Sequence, residues 1–143
     1  MRRRTAPTSV ERVTKFVIDA GAALRLAATE AVVPHDLLAP TLLRSQVLSA
    51  MHEAVHRGEL SSSEARARVA AVGRMRIRLL GDAVLRGQAW KIADELRVGS
   101  TYDAEYVALT RLQADYFVTL DEDLARAAAR LVPVAPFESL LDA

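Results

Sequence analysis

The sequence predicts an α/β fold, a three-layer α/β/α arrangement in which helices flank a mainly parallel central sheet. Three observations support the α/β class. Short β-branched segments alternate with segments of helical periodicity along the chain. The composition, 51% hydrophobic and 26% charged, is that of a globular core with a solvated shell. The length of 143 residues suits one domain, and strands separated by helices imply right-handed crossovers and a sheet covered on both faces.

The first elements are a strand and two helices. β-branched residues in segment 13–18 indicate the strand, and the small residues and leucines of segment 21–28 favour a helix. Pro40 opens the second helix, because its fixed φ and missing N–H suit a first helical turn. Apolar residues then recur at i, i+3 and i+4 until Gly58 provides a stop.

The middle of the chain predicts a third helix and a second strand. Ser61 and Glu64 have the spacing of a capping box, so the helix begins there and ends near Gly73. Residues 75–80 alternate apolar side chains with arginine, as a half-exposed strand does.

The last third of the chain continues the alternation. An apolar stripe over 84–96 predicts a helix that Gly99 ends, and Thr101 is placed to cap a further helix that runs to about Leu112. The remaining predicted elements are a strand at 116–120, a helix at 122–130 and a strand at 132–135.

Composition also limits the organisation and the class of protein. Residues 1–12 are predicted to form a flexible basic arm, and residues 13–143 a single domain. No apolar run approaches the ~18 residues of a membrane span, so we expect no membrane association. The absence of cysteine excludes thiol catalysis and thiolate metal sites and suits a reducing cytoplasm.

Three aspartates fall where ligands bind in open α/β sheets. Asp19 and Asp121 each follow a predicted strand, and Asp103 lies in the first turn of a predicted helix. Each one alone is readily explained as a helix cap. Three carboxylates at one edge would repel one another unless a cation lay among them, and oxygen ligands without cysteine or paired histidine favour Mg²⁺ or Mn²⁺.

Four segments carry a family resemblance: FVIDAGAAL at 16–24, APTLLRSQVLSA at 39–50, TYDAEYVAL at 101–109 and VTLDEDLA at 118–125. In this order they resemble the PIN-domain ribonucleases, in particular VapC-type toxins of bacterial toxin–antitoxin (VapBC) pairs. The resemblance implies a PIN-like three-layer α/β/α fold and a Mg²⁺-dependent endoribonuclease with Asp19 and Asp103 as central metal ligands. Asp121 would be a third ligand or an outer partner to water, with Asp123 as second choice for that role. Thr119 would orient water or phosphate, although a strand threonine satisfied by backbone is an equally good interpretation.

The resemblance also implies partners: an RNA substrate, a VapB-type antitoxin whose segment blocks the acidic pocket, and a homodimer. At one position the sequence departs from the family pattern, because Gln46 occupies the place of an expected glutamate. An amide brings no negative charge and cannot act as a base, so we expect weakened Mg²⁺ binding. Glu53, two helical turns further on, is judged too distant to substitute, at about 10 Å along the axis.

Two other functions stay open at this stage. A PIN module impaired by Gln46 would bind RNA or its antitoxin without cleaving. A phosphoacceptor receiver domain is disfavoured, because Asp19 lacks an adjacent acidic residue and Lys91 lies within a helix. His52 and His56 have the i, i+4 spacing of a zinc helix, but without a third ligand we interpret them as an exposed polar flank.

Two further features are interpreted structurally. Trp90, beside an apolar helical stripe, is expected to pack in the interior. Arg76 and Arg78 are interpreted as a solvated strand edge, although both could meet phosphate.

Overall fold

The computed structural model describes residues 13–143, so the predicted basic arm at 1–12 lies outside the described residues. Four parallel strands form one sheet in the order β3-β2-β1-β4. Their bounds are β1 at Lys15–Ile18, β2 at Asp36–Pro40, β3 at Ile77–Leu80 and β4 at Tyr116–Val118. The three last residues of β1 are buried, which is expected only where both faces of a strand are covered.

Within residues 13–143, six α-helices connect and cover the strands. They are α1 at Ala20–Thr29, α2 at Leu42–His56, α3 at Ser62–Gly73, α4 at Ala83–Leu96, α5 at Tyr102–Gln113 and α6 at Glu122–Ala128. A short 3-10 helix follows at Phe137–Leu140. In the described part of the chain, no helix combines the length and the apolar character needed to cross a membrane.

The layers follow from the strand order. The chain moves from β1 through β2 to the edge strand β3 and then returns to β4 on the far side of β1. Right-handed crossovers place helices before and after this reversal on opposite faces. Accordingly α1, α2 and α3 pack against one another, whereas α4 packs against α5, which lies on β1 and β2. The predicted α/β/α architecture with a parallel sheet is confirmed.

The core includes buried side chains of α1 and α2 on one face of the sheet and of α5 on the other. Val17, in β1, and Phe117, in β4, are fully buried, and the ring of Tyr106 stacks on Phe117 with 6.2 Å between ring centroids. Burial of each such side chain stabilises the fold by about 1.5–3 kcal/mol. This packing fixes α5 against the strands whose carboxyl ends carry the candidate site.

The sequence analysis missed strand β2 and misread Pro40. Pro40 does not open a helix: it is the last residue of β2, fully buried and paired with Leu80. A proline tolerates a strand end, where a missing N–H interrupts little of the ladder. The second helix therefore begins at Leu42, two residues later than the proline.

All four predicted strands are shorter in the structure, where the first begins at Lys15 and the second at Ile77. Segment 132–135 makes only a single bridge, between Val134 and Phe117, because Pro133 and Pro136 have no N–H to extend a ladder. Strand β4 ends at Val118 rather than at 120 because the chain turns there and Thr119 bonds to Asp19 through its side chain.

The end of α4 also differs from the prediction. The left-handed residue is Arg97, with φ of 59°, and not Gly99. Trp90, which was expected to pack inside, is 69% exposed on α4, so that expectation is wrong. The buried stripe of this helix runs through Leu85, Ala89 and Ile92, and Trp90 falls on the opposite flank.

Candidate active site

A hydrogen bond between side chains joins the ends of β1 and β4. Asp19 follows β1 directly and caps α1, with Oδ1 accepting from the Ala22 N–H at 3.0 Å. Its other oxygen, Oδ2, accepts from the Thr119 hydroxyl at 2.5 Å. The Thr119 oxygen in turn accepts from the Asp121 N–H at 3.1 Å. The carboxylate of Asp19 is thus fixed by groups from two neighbouring strand ends.

Asp121 is likewise a helix cap. Its Oδ1 accepts from the backbone N–H groups of Asp123 and Leu124, at 3.0 and 3.1 Å, where α6 begins. Its second oxygen accepts no hydrogen bond from the described residues. The capping interpretation of Asp19 and Asp121 therefore holds in the structure, and each cap leaves charge directed at the same edge of the sheet.

The three aspartates influence one another electrostatically. Burial raises the pKa of Asp19, the charges of Asp103 and Asp121 raise it further, and the Thr119 and Ala22 hydrogen bonds oppose the rise. Burial also raises the pKa of Asp103, and the charge of Asp121 adds to that effect. The geometry agrees with this coupling, because Thr119 joins Asp19 to Asp121 and Asp19 lines one pocket with Asp103.

Proximity does not amount to a closed metal cage. Within residues 13–143, no three carboxylate or imidazole groups lie at a spacing that could enclose an ion. Mg²⁺ commonly takes only one or two protein carboxylates and completes its shell with water and substrate phosphate. Asp19 and Asp103 line one pocket, and Asp103 accepts no hydrogen bond from the described chain. This pair of oxygen donors fits such a cation.

The pocket holding these two aspartates has a volume of about 340 Å³. Gln46 and Glu53, both on α2, line it together with Tyr106 of α5. Gln46 is half-buried and faces the pocket. The Tyr106 hydroxyl donates to Gln46 Oε1 at 2.6 Å.

Tyr106 is a pocket residue that the sequence analysis missed. It is 1% exposed, and its burial, with the charges of Asp19, Glu105 and Asp103, raises its pKa. A signal existed: Tyr106 follows Asp103 by three residues, and helix residues at i and i+3 share a face.

Glu53 lines the same pocket but completes no group of three metal-ligating side chains within residues 13–143, so it does not substitute for the expected glutamate. Seven residues make about two helical turns, so Gln46 and Glu53 project from the same face of α2. The Ser49 hydroxyl donates to Glu53 Oε2 at 2.9 Å, and Arg57 lies 4.0 Å from its other oxygen. Glu53 thus adds negative charge at one end of the pocket.

The other sequence candidates lie elsewhere. Asp123 pairs with Arg126 on an exposed turn of α6. His52 and His56 are exposed and join no possible metal cluster among residues 13–143, which agrees with a polar flank.

A larger cleft, of about 1010 Å³, lies at the amino ends of the strands, opposite the aspartates. Arg76 and Arg78 line this cleft together with Lys15 and Arg74. Arg78 is exposed on the edge strand β3, and Arg76 is exposed just before it. Charged side chains of this kind hinder pairing with another sheet edge, as the interpretation of a solvated edge requires.

No family model and no curated protein matches the sequence. Among solved structures, the fold is similar to the crystal structure of PAE2754 from Pyrobaculum aerophilum, with a TM-score of 0.74 and 22% identity over 91% of this chain and 96% of that one. It is also similar to VapBC-1 from nontypeable Haemophilus influenzae, with a TM-score of 0.55 and 11% identity over 86% and 98% of the two chains. These likenesses establish a PIN-like α/β fold.

The coupled carboxylates predict a stability change on neutralisation. Because its folded-state pKa is raised, ionised Asp103 lowers the free energy of unfolding at pH values above that pKa. Asp103→Asn should therefore raise this free energy at pH 7, by no more than about 1 kcal/mol since the group is partly solvated. The gain should shrink as the pH falls and the wild-type carboxyl takes up its proton. Urea denaturation at several pH values measures this, and a gain independent of pH would contradict the coupling.

Proposed function

We propose that this protein is a metal-dependent endoribonuclease of the VapC toxin type, which hydrolyses RNA phosphodiester bonds. The observation that carries the proposal is the convergence of three aspartates at the carboxyl edge of a PIN-like sheet: Asp19 is joined to Asp121 through Thr119 and lines one pocket with Asp103. They come from three separate parts of the chain, and their mutual repulsion costs stability that a bound cation would recover.

Asp19 and Asp103 would hold the Mg²⁺ or Mn²⁺ ion. When bound, the ion supplies Lewis acidity, which lowers the pKa of water and offsets charge on the scissile phosphate. Thr119 keeps the Asp19 carboxylate in one orientation, so little freedom is lost on binding. The second oxygen of Asp121, which the α6 cap leaves uncommitted, is suited to accept a hydrogen bond from the attacking water.

A VapB-type antitoxin and a second copy of this chain are the proposed protein partners. The structural likeness to VapBC-1 supports the first. The pocket is open to solvent and acidic, with Glu53 at one end, so a basic side chain of an antitoxin segment could occupy it. In that position the segment would exclude both the cation and RNA.

A second function is favoured by one specific observation. Gln46 is neutral, and the described residues hold no group of three metal-ligating side chains. A PIN module that binds RNA or its antitoxin without cleaving is therefore the alternative. Cleavage assays with added Mg²⁺ or Mn²⁺ separate the two functions, since only the nuclease depends on the ion for product formation.

Neutralising Asp103 tests its proposed role as a metal ligand in RNA cleavage. Asp103→Asn should reduce Mg²⁺-dependent cleavage of single-stranded RNA by roughly 10²-fold or more, because it removes one of two proposed metal-ligating carboxylates. Asp36→Asn is the matched control, since Asp36 lies at the opposite, amino edge of the sheet. Equal cleavage by the two variants would contradict the proposed site. Loss of activity should occur without loss of folded protein.

Adding a carboxylate at position 46 tests whether this position is close to the proposed metal ion. Gln46→Glu adds a carboxylate to the pocket and should tighten Mg²⁺ binding by roughly tenfold and raise RNA cleavage. Gln113→Glu makes the same chemical change at the last residue of α5, about 15 Å from Asp103 along the helix axis, and should change neither quantity. Calorimetric titration with Mg²⁺ and a cleavage time course provide the measurements. If Gln46→Glu behaves like the control, position 46 is not part of the metal site.

A further inference from the structure

The side chain of Gln46 is held from one direction only. The Tyr106 hydroxyl donates to its Oε1 at 2.6 Å, joining α2 to α5 across the pocket. Tyr106 itself is immobile by packing, because it is 1% exposed and its ring stacks on the fully buried Phe117. Because packing fixes the Tyr106 hydroxyl, its hydrogen bond also fixes the position of the Gln46 carbonyl oxygen.

The chemistry of an amide then decides which atom faces the pocket. An amide has a carbonyl oxygen that only accepts and a nitrogen that only donates. With Oε1 taken by the Tyr106 hydroxyl, the nitrogen Nε2 is turned away from Tyr106. Within residues 13–143 it donates to no protein group, and Gln46 lines the pocket beside Asp19 and Asp103. The pocket therefore contains one uncommitted donor among carboxylates.

A donor at this place suits a phosphate better than a metal ion. The amide oxygen already accepts from Tyr106, which leaves it one lone pair for a cation, whereas both N–H groups of Nε2 are without an acceptor among residues 13–143. Non-bridging phosphate oxygens only accept, and glutamine side chains commonly bind them in nucleic-acid complexes. The donor also offsets part of the repulsion between a phosphate and the two aspartates without adding net charge.

We infer that Tyr106 is a positioning residue that holds Gln46 so that its amide nitrogen donates to a phosphate oxygen of single-stranded RNA. This inference rests on the proposed function and specifies how the same pocket receives its substrate. In this arrangement the wild-type amide of Gln46 contributes to substrate binding, and only the carboxylate that Gln46→Glu introduces would contribute to metal binding. Tyr106 acts only through Gln46 and touches neither the cation nor the RNA.

A double-mutant cycle tests this arrangement. Four proteins are compared: the wild type, Gln46→Ala, Tyr106→Phe and the double variant. Binding of a fluorescein-labelled single-stranded RNA oligonucleotide is measured in EDTA, where metal-dependent cleavage does not occur, and binding of Mn²⁺ alone is measured by calorimetry. Gln113→Ala and Tyr116→Phe serve as matched controls, since both residues are exposed and neither lines the pocket. Circular dichroism verifies that each variant is folded.

We expect Gln46→Ala to weaken RNA binding roughly tenfold, as loss of one hydrogen bond to a charged group does. Tyr106→Phe should weaken it severalfold in the wild type and should have no further effect in the Gln46→Ala background. Mn²⁺ affinity should change less than twofold in all four proteins. The ¹⁵N–¹H signals of the Gln46 side-chain amide should shift when the oligonucleotide is added.

Three outcomes would overturn the inference. Two of them leave the proposed nuclease function intact, and the third contradicts it. A large loss of Mn²⁺ affinity in Gln46→Ala would make Gln46 a metal ligand. An equal effect of Tyr106→Phe with and without Gln46 would make Tyr106 merely structural. In both cases the proposed nuclease function would stand. If instead no protein bound RNA, and the wild type did not cleave it when Mn²⁺ was added, the proposed function itself would fail.

Discussion

The hydrogen bond from Thr119 to Asp19 connects the architecture of this protein to its chemistry. Parallel pairing of β1 with β4 makes the carboxyl ends of two strands neighbours although about 100 residues separate them along the chain. A threonine at one end can then hold an aspartate at the other. The carboxylate of Asp19 is preorganised by this bond and by the first turn of α1. The remaining pocket residues are arranged around that fixed group.

Backbone N–H groups offset part of the negative charge of the aspartates at this edge of the sheet. Two of the three aspartates begin helices, so N–H groups of α1 and α6 satisfy part of each carboxylate and the helix dipoles favour the negative charge. The Asp103 side chain accepts no such capping bond, and both burial and the charge of Asp121 raise its pKa. The fold can therefore carry an acidic edge at modest cost, and the unbalanced part of its charge would attract the proposed cation or a basic partner.

Much of the fold could be predicted from the sequence because its signals are local. The capping box of Ser61 and Glu64 is present in the structure, and the β-branched run before Asp19 forms β1. Strand β2 was missed because five residues that end in proline carry too little periodicity to separate a strand from a helix start. The exposure of Trp90 depends on which flank of α4 meets α5, a tertiary fact that no local pattern contains.

In the candidate site, too, local sequence patterns predict some features, whereas others depend on tertiary packing. Position along the chain predicted which aspartates stand at strand and helix ends, and the structure places them at one edge. The part played by Tyr106 depends on the distance between two helices, and the place of Glu53 depends on how far the pocket extends along α2. Both are properties of packing, and spacing in the sequence gives only the helix face.

Anomalous scattering from crystals soaked in Mn²⁺ tests the central claim most directly, because it locates a cation independently of any catalytic assay. We expect a single strong peak in the pocket, within coordinating distance of the carboxylates of Asp19 and Asp103, that is lost in Asp103→Asn. A fully exchanged crystal with no peak at this edge, or with a peak only at other acidic surfaces, would contradict the account.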